Sequence, residues 1–417
     1  MDLQGVKFYN YKYSIDKVTL SGGNLNEPYE VNTKLITGFR IEKDYEDNIL
    51  PYFEITVTIS NAISRILLKN ISNIKANIIM KCAKFDSTIM DMNSNDTPRY
   101  TGFINGVFKV FLDETTPTLS ENTIKGYEEQ QGLSNINDMD NQNMTMLRLV
   151  LYREDYYKGI RKVVNAVLRN TNIPTAVAYI LNESNMGNIL FTQPDNKTVP
   201  DELILLPITT LEQLEYLAGQ FAMHKNGTLL FFDLDRGYII DKQAACTAYE
   251  TNEYTKTYLM SFNSSDASTN FVKTGNTKFD KEKSNICLIS KDSIVSNTKS
   301  EFLSETVGSS FIYVDTETGK QTNIGSGNIS GLVYTKQNST NTYTALERKI
   351  KEAKKIVNVY IENADITFFT PNKEFIISTD EYASNINGSY RITKCITSFV
   401  KDGDTFVARS LLELRGF

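Results

Sequence analysis

The stretch TTLEQLEYLAGQFAMHKNGTLLFFDLDRGYIID, residues 209–241, joins a short amphipathic helix to an apolar hairpin. Thr209 lies three residues before Glu212, which is the spacing of a helix capping box. The helix that follows carries one apolar stripe, formed by Leu211, Leu214, Ala218 and Phe221. Asn226-Gly227 ends the helix, and the apolar runs on either side of residues 235–237 predict a hairpin. The helix and the hairpin are therefore expected to share one small core.

His224, the only histidine of the chain, lies at the joint between this helix and the hairpin. General base catalysis or zinc binding would require a carboxylate, a cysteine or another ligand beside it. A histidine followed by Lys225 and an Asn-Gly pair instead suits the end of a helix. The chain also lacks the GxSxG nucleophile motif. We expect His224 to have a structural or neutral role, and its replacement by alanine to leave assembly near normal.

Residues 1–115 are predicted to form a first β domain. Apolar residues alternate in PYFEITVTIS and in NIKANIIMKCAKF, which predicts two strands with one buried face each. The alternating residues are Phe53, Ile55, Val57 and Ile59 in the first run and Ile74, Ala76, Ile78, Met80 and Cys82 in the second. Asn105-Gly106, within RYTGFINGVFKVFLDE, predicts a hairpin turn. Several short strands at this spacing indicate a barrel or a sandwich.

Residues 116–255 are predicted to form an α-containing insertion plus the hairpin, part of which can return to the first barrel. Residues 116–145 include the polar, turn-rich GLSNINDMDNQNM and are interpreted as a connector. In LYREDYYKGIRKVVNAVL, one helical face carries Tyr156, Ile160, Val163, Val164 and Val167. Asn172 and Pro174 end this helix, and a second short helix is expected after them.

Residues 256–417 are predicted to form a second β domain with long polar loops and one helix. The helix is TALERKIKEAKKIV, with an inward face of Leu346, Ile350, Ala353 and Ile356. The runs KEFIIS, NGSYRITKCITSFV and DGDTFVARSLLEL then predict a meander, with turns at Asn387-Gly388 and Asp402-Gly403. The whole chain is expected to be α+β and mainly β, with α structure between two β parts.

The composition argues against several classes of protein. A net charge of −6 and a pI near 5.2 disfavour a phosphate-gripping surface, which needs clustered lysine and arginine. The four cysteines form no CxxC pair, so we interpret them as small core residues of a protein from a reducing compartment. They are Cys82, Cys246, Cys287 and Cys395.

The sequence also carries no recognisable targeting signal. The run MDLQGVKFYNYKY is neither a signal peptide nor a transit peptide. No run of about 18 apolar residues exists that could span a membrane. We expect synthesis and assembly in a cytoplasm, without direct membrane insertion.

Two carboxylate-rich runs approach the pattern of a calcium loop. Asp91, Asn93 and Asn95 have the required spacing. Asp96, however, replaces the required glycine, and no glutamate follows at the twelfth position. Residues 233–237 are a shorter near match. We interpret the two runs as a polar loop and a hairpin turn, which leaves calcium as an open alternative and assigns no metal ligand.

Other motifs also fall short of a catalytic or cofactor-binding site. GSGNISG, residues 325–331, lacks the spacing of the dinucleotide fingerprint, and ETGKQT lacks the first glycine of a P-loop. Adjacent acids such as Glu128-Glu129 could serve a glycosidase, but 50 acidic residues make adjacency common. We therefore predict no catalytic, cofactor-binding or metal residue.

The order of elements resembles phage tail baseplate hub proteins of contractile tails, which are related to the N-terminal part of type VI secretion spike proteins. The resemblance rests on LYREDYYKGIRKVVNAVL, on the apolar helix followed by NGTLLFFDLDRGYIID, and on the run KEFIISTDEYASNINGSYRITKCITSFVKDGDTFVARSLLELR. It covers most of the chain, in parts, and contains no invariant catalytic motif.

This resemblance implies two β-barrel-like tube domains with helical or mixed insertions in each subunit of a homotrimer. Such a ring adapts a sixfold tail tube to a threefold central spike and forms part of the DNA channel, through which DNA passes without specific binding. The implied partners are the tail tube or distal tube-initiator protein, the spike protein and the surrounding baseplate wedge proteins. The chain would be a structural virion protein without a cofactor, and no fused lysozyme or spike domain is expected after LLELRGF.

Two other functions stay open. The first is a tail-associated peptidoglycan hydrolase or peptidase, which would need a metal or nucleophile site. The second is a receptor-binding or carbohydrate-binding tail protein, which the 23 tyrosines and 22 phenylalanines could serve. Because most of these aromatic residues alternate along the predicted strands, we interpret them as core.

Overall fold

The structure is a computed structural model of the 417-residue chain. It describes residues 9–46, 48–69, 73–86, 100–112, 144–186, 188–221, 223–224, 227–234, 236–241, 256–261, 284–289, 294–296, 310–315, 321–324, 330–335, 356–378 and 387–416. Within these ranges, no helix has the length and hydrophobicity needed to cross a membrane.

Strands dominate the described residues, and the predicted class, α+β and mainly β, is confirmed. The helices are α1 (Asn61–Lys69), α2 (Glu154–Arg161), α3 (Ile173–Ser184) and α4 (Thr210–Phe221), with 3-10 turns at Thr33–Leu35 and Ile366–Phe368. The strands are β1 (Tyr9–Gly22), β2 (Tyr29–Glu30), β3 (Ile36–Asp44), β4 (Asn48–Ser60), β5 (Ile74–Asp86), β6 (Tyr100–Leu112), β7 (Met144–Arg153), β8 (Ala166–Arg169), β9 (Ile189–Phe191), β10 (Glu202–Leu205), β11 (Thr228–Phe232), β12 (Gly237–Asp241), β13 (Lys256–Ser261), β14 (Ser284–Ile289), β15 (Ile294–Ser296), β16 (Ser310–Asp315), β17 (Gln321–Ile324), β18 (Ser330–Thr335), β19 (Ile356–Glu362), β20 (Glu374–Ser378), β21 (Gly388–Asp402) and β22 (Thr405–Gly416).

Eight strands close into a barrel. They follow the order β21, β3, β4, β7, β6, β5, β1 and β22, and β22 pairs again with β21. Six of these strands lie within residues 9–153 and two within residues 388–416. Closure depends on a short antiparallel contact between β1 and β22, in which Tyr13 lies opposite Phe406. The barrel therefore joins parts of the chain that are far apart in sequence.

The strands β21 and β22 also extend the sheet beyond the barrel. β22 pairs with β19, which pairs with β15, while β21 pairs with β20, followed by β13 and β14. A separate three-stranded sheet contains β16, β17 and β18. The division of the chain at residues 115 and 255 stays a prediction, and the barrel takes strands from both sides of it.

The barrel interior follows from strand alternation, which turns every second side chain inward. The predicted inward face of β4 is confirmed, because at most 1% of the surface is exposed in Phe53, Ile55, Val57 and Ile59. The ring of Tyr13 lies 5.1 Å, between centroids, from the rings of both Phe103 and Phe399. These edge contacts tie β1, β6 and β21 into one core.

A second core lies beside the barrel and contains α2, α3, α4 and the two-stranded sheet of β8 and β10. The predicted capping box of α4 is confirmed, because Thr209 N–H donates to Glu212 Oε2 at 2.9 Å and Glu212 N–H donates to Thr209 Oγ1 at 3.3 Å. Leu214 of α4 and Phe232 of the hairpin belong to this same core, as expected from the sequence.

The hairpin of β11 and β12 separates the two cores. Phe231 and Tyr238 belong to the barrel core, whereas the alternate residues Phe232 and Ile239 belong to the second core. β9 lies parallel to β12 on the other edge of β12. The approach is so close that a Cβ atom on Gly237 would overlap the side chain of a β9 residue. The hairpin therefore buries side chains on both of its faces.

The turn predicted at Asn105-Gly106 is wrong. β6 runs straight through these two residues, which lie opposite Ile79 and Ile78 of β5. An Asn-Gly pair favours a turn locally, but here the continuous pairing with β5 in the barrel wall outweighs that preference. The helix α1 was not predicted from the sequence; its buried residues are Ser64 and Leu67.

The helix predicted to begin near residue 151 is shorter than expected. α2 ends at Arg161, and residues 166–169 form β8, which pairs with β10. Val163 and Val167, expected on the inward face of the helix, are 53% and 55% exposed. The β-branched valines fit a strand better than a helix, and the β10 partner completes that strand. The expected second helix is confirmed as α3, with Asn172 as its N-cap.

The C-terminal meander is confirmed as β20, β21 and β22. Asp402-Gly403 forms the predicted turn, and Gly403 has φ +62°, a conformation that favours glycine. Residues 344–355 of the predicted helix lie outside the described residues, and Ile356 begins β19. Residues 116–143 of the predicted connector also lie outside them.

Leu214→Ala should lower the free energy of unfolding by about 2–5 kcal/mol, because it empties a site in the second core that is 1% exposed. Phe221→Ala should cost less, since Phe221 is only partly buried there. Urea unfolding followed by circular dichroism measures both losses. Leu206→Ala is the matched control, because Leu206 is 40% exposed and should change stability by at most about 0.5 kcal/mol. Equal losses at residues 206 and 214 would contradict this core.

Candidate functional site

A buried ion pair lies where the hairpin meets the barrel. Lys43 follows Phe39 and Ile41 on the inward face of β3, where strand alternation calls for an apolar residue. Its Nζ lies 2.5 Å from Asp233 Oδ1 at the hairpin turn, and the two side chains are 1% and 8% exposed. The same Nζ donates to Ile366 O at 3.4 Å. The pair therefore connects β3, the hairpin and the segment between β19 and β20.

Protonated groups lie beside this pair. Burial raises the pKa of Tyr45 well above its usual value, the charge of Asp233 adds to the rise, and the hydroxyl donates to Phe369 O at 2.7 Å. Burial also raises the pKa of Cys395, whose thiol interacts with both charges of the pair, to about 11, and elsewhere at the barrel core burial raises the pKa of Cys82 to about 12. A thiol that stays protonated is a poor nucleophile. These two cysteines therefore have the character of core residues.

His224 is buried at a second joint, between α4 and β11. Its Nε2 lies 3.1 Å from Thr192 O, and its Nδ1 lies 3.0 Å from Thr228 Oγ1. The consistent assignment has Nε2–H donating to the carbonyl and Nδ1 accepting from the hydroxyl. Burial lowers the pKa of His224, although the Thr192 carbonyl and the charges of Asp241 and Asp195 oppose this. The neutral ring therefore links three segments of the chain.

No metal centre is found in the part of the chain that the structure describes, where no three His, Cys, Asp or Glu side chains are placed to hold an ion. In the second calcium-like run, Asp233 is engaged by Lys43. Cys287 lies in β14. Outside the described residues lie the run 91–96, Glu128-Glu129, Cys246, residues 317–320 and residues 325–329.

The outer wall of the barrel carries a network of ion pairs, here named the charged face. Its members are Arg40, Glu42, Asp44, Glu46, Glu54, Arg148, Lys394, Glu413 and Arg415. Glu42 accepts hydrogen bonds from Arg40 Nη2 at 2.6 Å and Tyr52 OH at 2.7 Å, and pairs with Lys394 Nζ at 3.1 Å. Burial alone would raise the pKa of Glu42, but these contacts lower it.

Each cation of the charged face has a carboxylate partner. Lys394 Nζ lies 3.0 Å from Asp44, and Arg148 Nη2 lies 2.5 Å from Glu54. Arg415 Nη2 lies 2.6 Å from a carboxylate oxygen of Glu46 and 3.7 Å from one of Glu413. Four cations therefore face five carboxylates, and the network presents no surplus of positive charge. Such a surface is poorly suited to gripping phosphate groups.

Four aromatic rings beside the charged face connect the barrel to the second core. The rings of Tyr52, Tyr152, Phe111 and Tyr157 form a chain of contacts with centroid separations of 5.5–6.0 Å. Tyr152 and Tyr157 also pack against the second core. These rings therefore form a continuous set of aromatic contacts between the barrel and the second core.

The whole architecture lies within one protein family. A family model described as "Bacteriophage PBS1 gene 109 protein" matches residues 8–417. Because this match spans nearly the entire chain, the protein belongs to that bacteriophage family. The recognition of a phage protein from its sequence is thereby confirmed. No curated protein matches the chain.

Among solved structures, the chain is similar to two tail proteins and to a secretion-system component. The tail protein of Neisseria meningitidis MC58 has a TM-score of 0.49 and 8% identity, covering 97% of this chain and 96% of that one. The 43 kDa tail protein of prophage MuSo2 from Shewanella oneidensis has a TM-score of 0.48 and 10% identity, with coverages of 95% and 96%. A type VI secretion component of E. coli has a TM-score of 0.48 and 11% identity, with coverages of 95% and 76%.

Sequence reasoning singled out His224 as a structural residue but missed the pair of Lys43 and Asp233. The sequence holds one signal for Lys43, which is a lysine in register with Phe39 and Ile41 on a buried strand face. Asp233 was interpreted only as part of a turn. The ion pair of Lys43 and Asp233 forms because the hairpin lies beside β3. No local sequence pattern predicts that arrangement.

Lys43→Met should lower the free energy of unfolding by about 3–5 kcal/mol, because it removes the cation facing a buried carboxylate. Combining it with Asp233→Leu should recover most of the loss, since no charge is then buried at this place. Urea unfolding of the single and double variants gives the coupling energy. Lys17→Met, which breaks the exposed pair with Glu30, is the control and should cost at most about 1 kcal/mol. Additive losses at residues 43 and 233 would contradict the interaction.

The burial of His224 should make the free energy of unfolding decrease as the pH falls through about 6.5. The pKa of His224 is lowered in the folded chain from an ordinary value of 6.5, so the unfolded chain binds more protons below that pH. The contribution of His224 to the free energy of unfolding is complete above its unfolded-state pKa. This contribution is lost as the pH falls toward the folded-state pKa of His224. Urea midpoints between about pH 7.5 and 5.5 measure this slope, because the carboxyl groups titrate mainly at lower pH.

His224→Ala is the matching variant, since the chain has only one histidine. It should flatten the slope over this pH range. A slope that persists in the variant would contradict the assignment to His224. The variant should also lose about 1–3 kcal/mol at pH 7.5, because Thr192 and Thr228 lose their buried partner. The prediction from the sequence concerned assembly, which should stay near normal in this variant despite its lower stability.

Proposed function

We propose that this bacteriophage protein is the hub of a tail baseplate. In this role three copies form a ring that adapts the sixfold tail tube to the threefold central spike and surrounds part of the DNA channel. One face contacts the tail tube or distal tube-initiator protein, the other contacts the spike, and baseplate wedge proteins surround the ring. The protein acts as a structural part of the virion, assembled in the host cytoplasm.

One structural observation carries the proposal. The barrel is closed by strands from distant parts of the chain, and within the described residues β21 and β22 continue into sheet arms that end at β14 and β15. In a closed barrel every strand edge is paired with a neighbouring strand. The terminal strands of an open sheet instead expose backbone N–H and C=O groups that require partners. In a member of a phage family, neighbouring copies in a ring are suitable partners. The resemblance of the sequence to hub proteins supports the same assignment.

The electrostatics support a passive channel. The chain has a net charge of −6, so a trimer would carry about −18 if every charge is counted. The charged face pairs its four cations with carboxylates, which leaves them poorly placed to hold phosphate groups. A near-neutral or acidic ring repels DNA weakly and lets the polymer slide during ejection.

The purified protein should form a homotrimer, either alone or together with its spike. Native mass spectrometry measures the mass directly, and light scattering over a range of concentrations detects dissociation. Low-resolution density should have threefold symmetry and a central channel. A monomer at high concentration, even in the presence of the spike protein, would overturn the hub assignment.

The protein should show no appreciable DNA binding in a mobility-shift assay at moderate salt, because the chain has a net charge of −6 and the cations of the charged face are paired with carboxylates. A known basic DNA-binding protein in the same assay is the positive control. Submicromolar binding that weakens steeply with salt would contradict the passive channel and indicate a packaging or nucleic-acid role.

Two further assays on the purified protein test the two alternative functions, a peptidoglycan hydrolase and a receptor-binding tail protein. A clear zone in a peptidoglycan zymogram would favour the tail-associated hydrolase, and saturable binding to host glycans would favour a receptor-binding tail protein. A hub should give neither result, since its function depends on assembly alone.

A further inference from the structure

The two-stranded sheet of β8 and β10 has one face in the second core and one face open to solvent. On β10, Leu203 and Leu205 are 3% and 0% exposed and belong to the second core. The residue between them, Ile204, lies directly opposite Val167 of β8, and each of the two is 55% exposed. Because strand alternation turns successive residues to opposite faces, Ile204 and Val167 share the open face.

This open face is apolar along most of its length. The chain beside the two strands adds Val163 and Leu206, which are 53% and 40% exposed, while their neighbours Val164 and Leu205 are buried in the second core. The four exposed side chains, here named the ribbon face, are Val163, Val167, Ile204 and Leu206. They make up four of the eleven large apolar side chains that are exposed among the described residues. Single exposed apolar residues are normal, whereas a group of them on one element marks a contact surface.

An ion pair lies at one end of the ribbon face. Arg169 Nε is 3.3 Å from Glu202 Oε1, and the two side chains are 76% and 55% exposed. These residues lie opposite each other in the register, two positions from Val167 and Ile204, and therefore on the same face. The face thus presents a positive charge on β8 and a negative charge on β10, side by side.

This arrangement of charges favours a second copy of the same face as the partner. A partner that carries charge of one sign would leave either Arg169 or Glu202 unmatched. A second copy supplies both signs, and a two-fold axis parallel to the strands lays β8 of each copy over β10 of the other. Arg169 then faces Glu202 of the partner subunit, and Val167 packs on Ile204 of the partner subunit. An axis across the strands would instead bring the charged end of one face onto the apolar end of the other.

We propose that the ribbon face pairs with the ribbon face of a second copy of this chain, about a two-fold axis parallel to β8 and β10. Apolar contact supplies the affinity, and the crossed pairs of Arg169 and Glu202 set the orientation. The contact covers the open face of a two-stranded sheet, an element that is marginally stable without packing on its faces. This inference goes beyond the hub role, because a ring of three copies uses heterologous contacts and this contact is isologous.

Ile204→Glu places a charge at the centre of the ribbon face and should abolish the pairing. Sedimentation equilibrium of the full chain over a range of concentrations measures the mass. The wild-type particle should have twice the mass of the variant particle, whether the unit that pairs is one chain or a trimer. Leu68→Glu is the matched control, because Leu68 is also 55% exposed but lies on α1, and it should leave the mass unchanged.

The ratio of the two masses tests the pairing separately from the hub role. The mass of Ile204→Glu, as one chain or as three, reports on the trimer, whereas the factor of two reports on the ribbon face. Equal masses of the wild type and Ile204→Glu would overturn the pairing, and so would an equal loss in Leu68→Glu. Equal masses together with binding of a different tail protein that Ile204→Glu abolishes would assign the face to that protein.

Charge reversal tests the orientation of the two copies. Arg169→Glu and Glu202→Arg each place like charges opposite one another across the interface, and each variant alone should pair about tenfold more weakly. An equal mixture of the two variants should pair about as tightly as the wild type, because every glutamate then faces an arginine of the other variant. Sedimentation equilibrium of each variant and of the mixture measures these affinities. A mixture that pairs no better than the separate variants would overturn the two-fold axis parallel to the strands.

Discussion

The hairpin of β11 and β12 has to bury both of its faces, and the rest of the structure is arranged around that requirement. A strand directs successive side chains to opposite sides, so Phe231 and Phe232 enter two different cores. One thin layer thus closes the barrel core on one side and the helical core on the other. Since Asp233 at its turn meets Lys43 of the barrel wall, a displacement of the hairpin would separate a buried charge pair as well as open two cores.

Features that depend on neighbours in sequence could be predicted from the sequence, and those that depend on distant partners could not. The capping box at Thr209 and the inward face of β4 follow from spacings of two to three residues. The Asn105-Gly106 pair has equally clear local chemistry, but β5 imposes an extended conformation on it. Val167 likewise joins a strand because β10 lies beside it. In both cases pairing across the sheet outweighed local preference.

The same distinction applies to the candidate site. The composition shows that the chain carries more acidic than basic residues. It could not place any of them, because the partners on the charged face come from strands far apart in sequence, such as Lys394 and Asp44. The burial of His224 could not be predicted from the sequence either, because its partners Thr192 and Thr228 lie on two different segments. These contacts follow no motif of fixed spacing, so they become visible only once the sheet is assembled.

The closure of the barrel between β1 and β22 has a consequence for how the protein is made. Tyr13 is among the first described residues to leave the ribosome, and its partner Phe406 leaves almost four hundred residues later. During that interval the barrel strands from residues 9–153 form an incomplete sheet with two open edges, which is a state prone to misassociation. The second core, whose contacts lie mostly within residues 156–239, has shorter loops to close. Biosynthesis thus supplies the residues of the helical unit early and the last barrel strands late, so a chain that lacks its final residues cannot close the barrel wall.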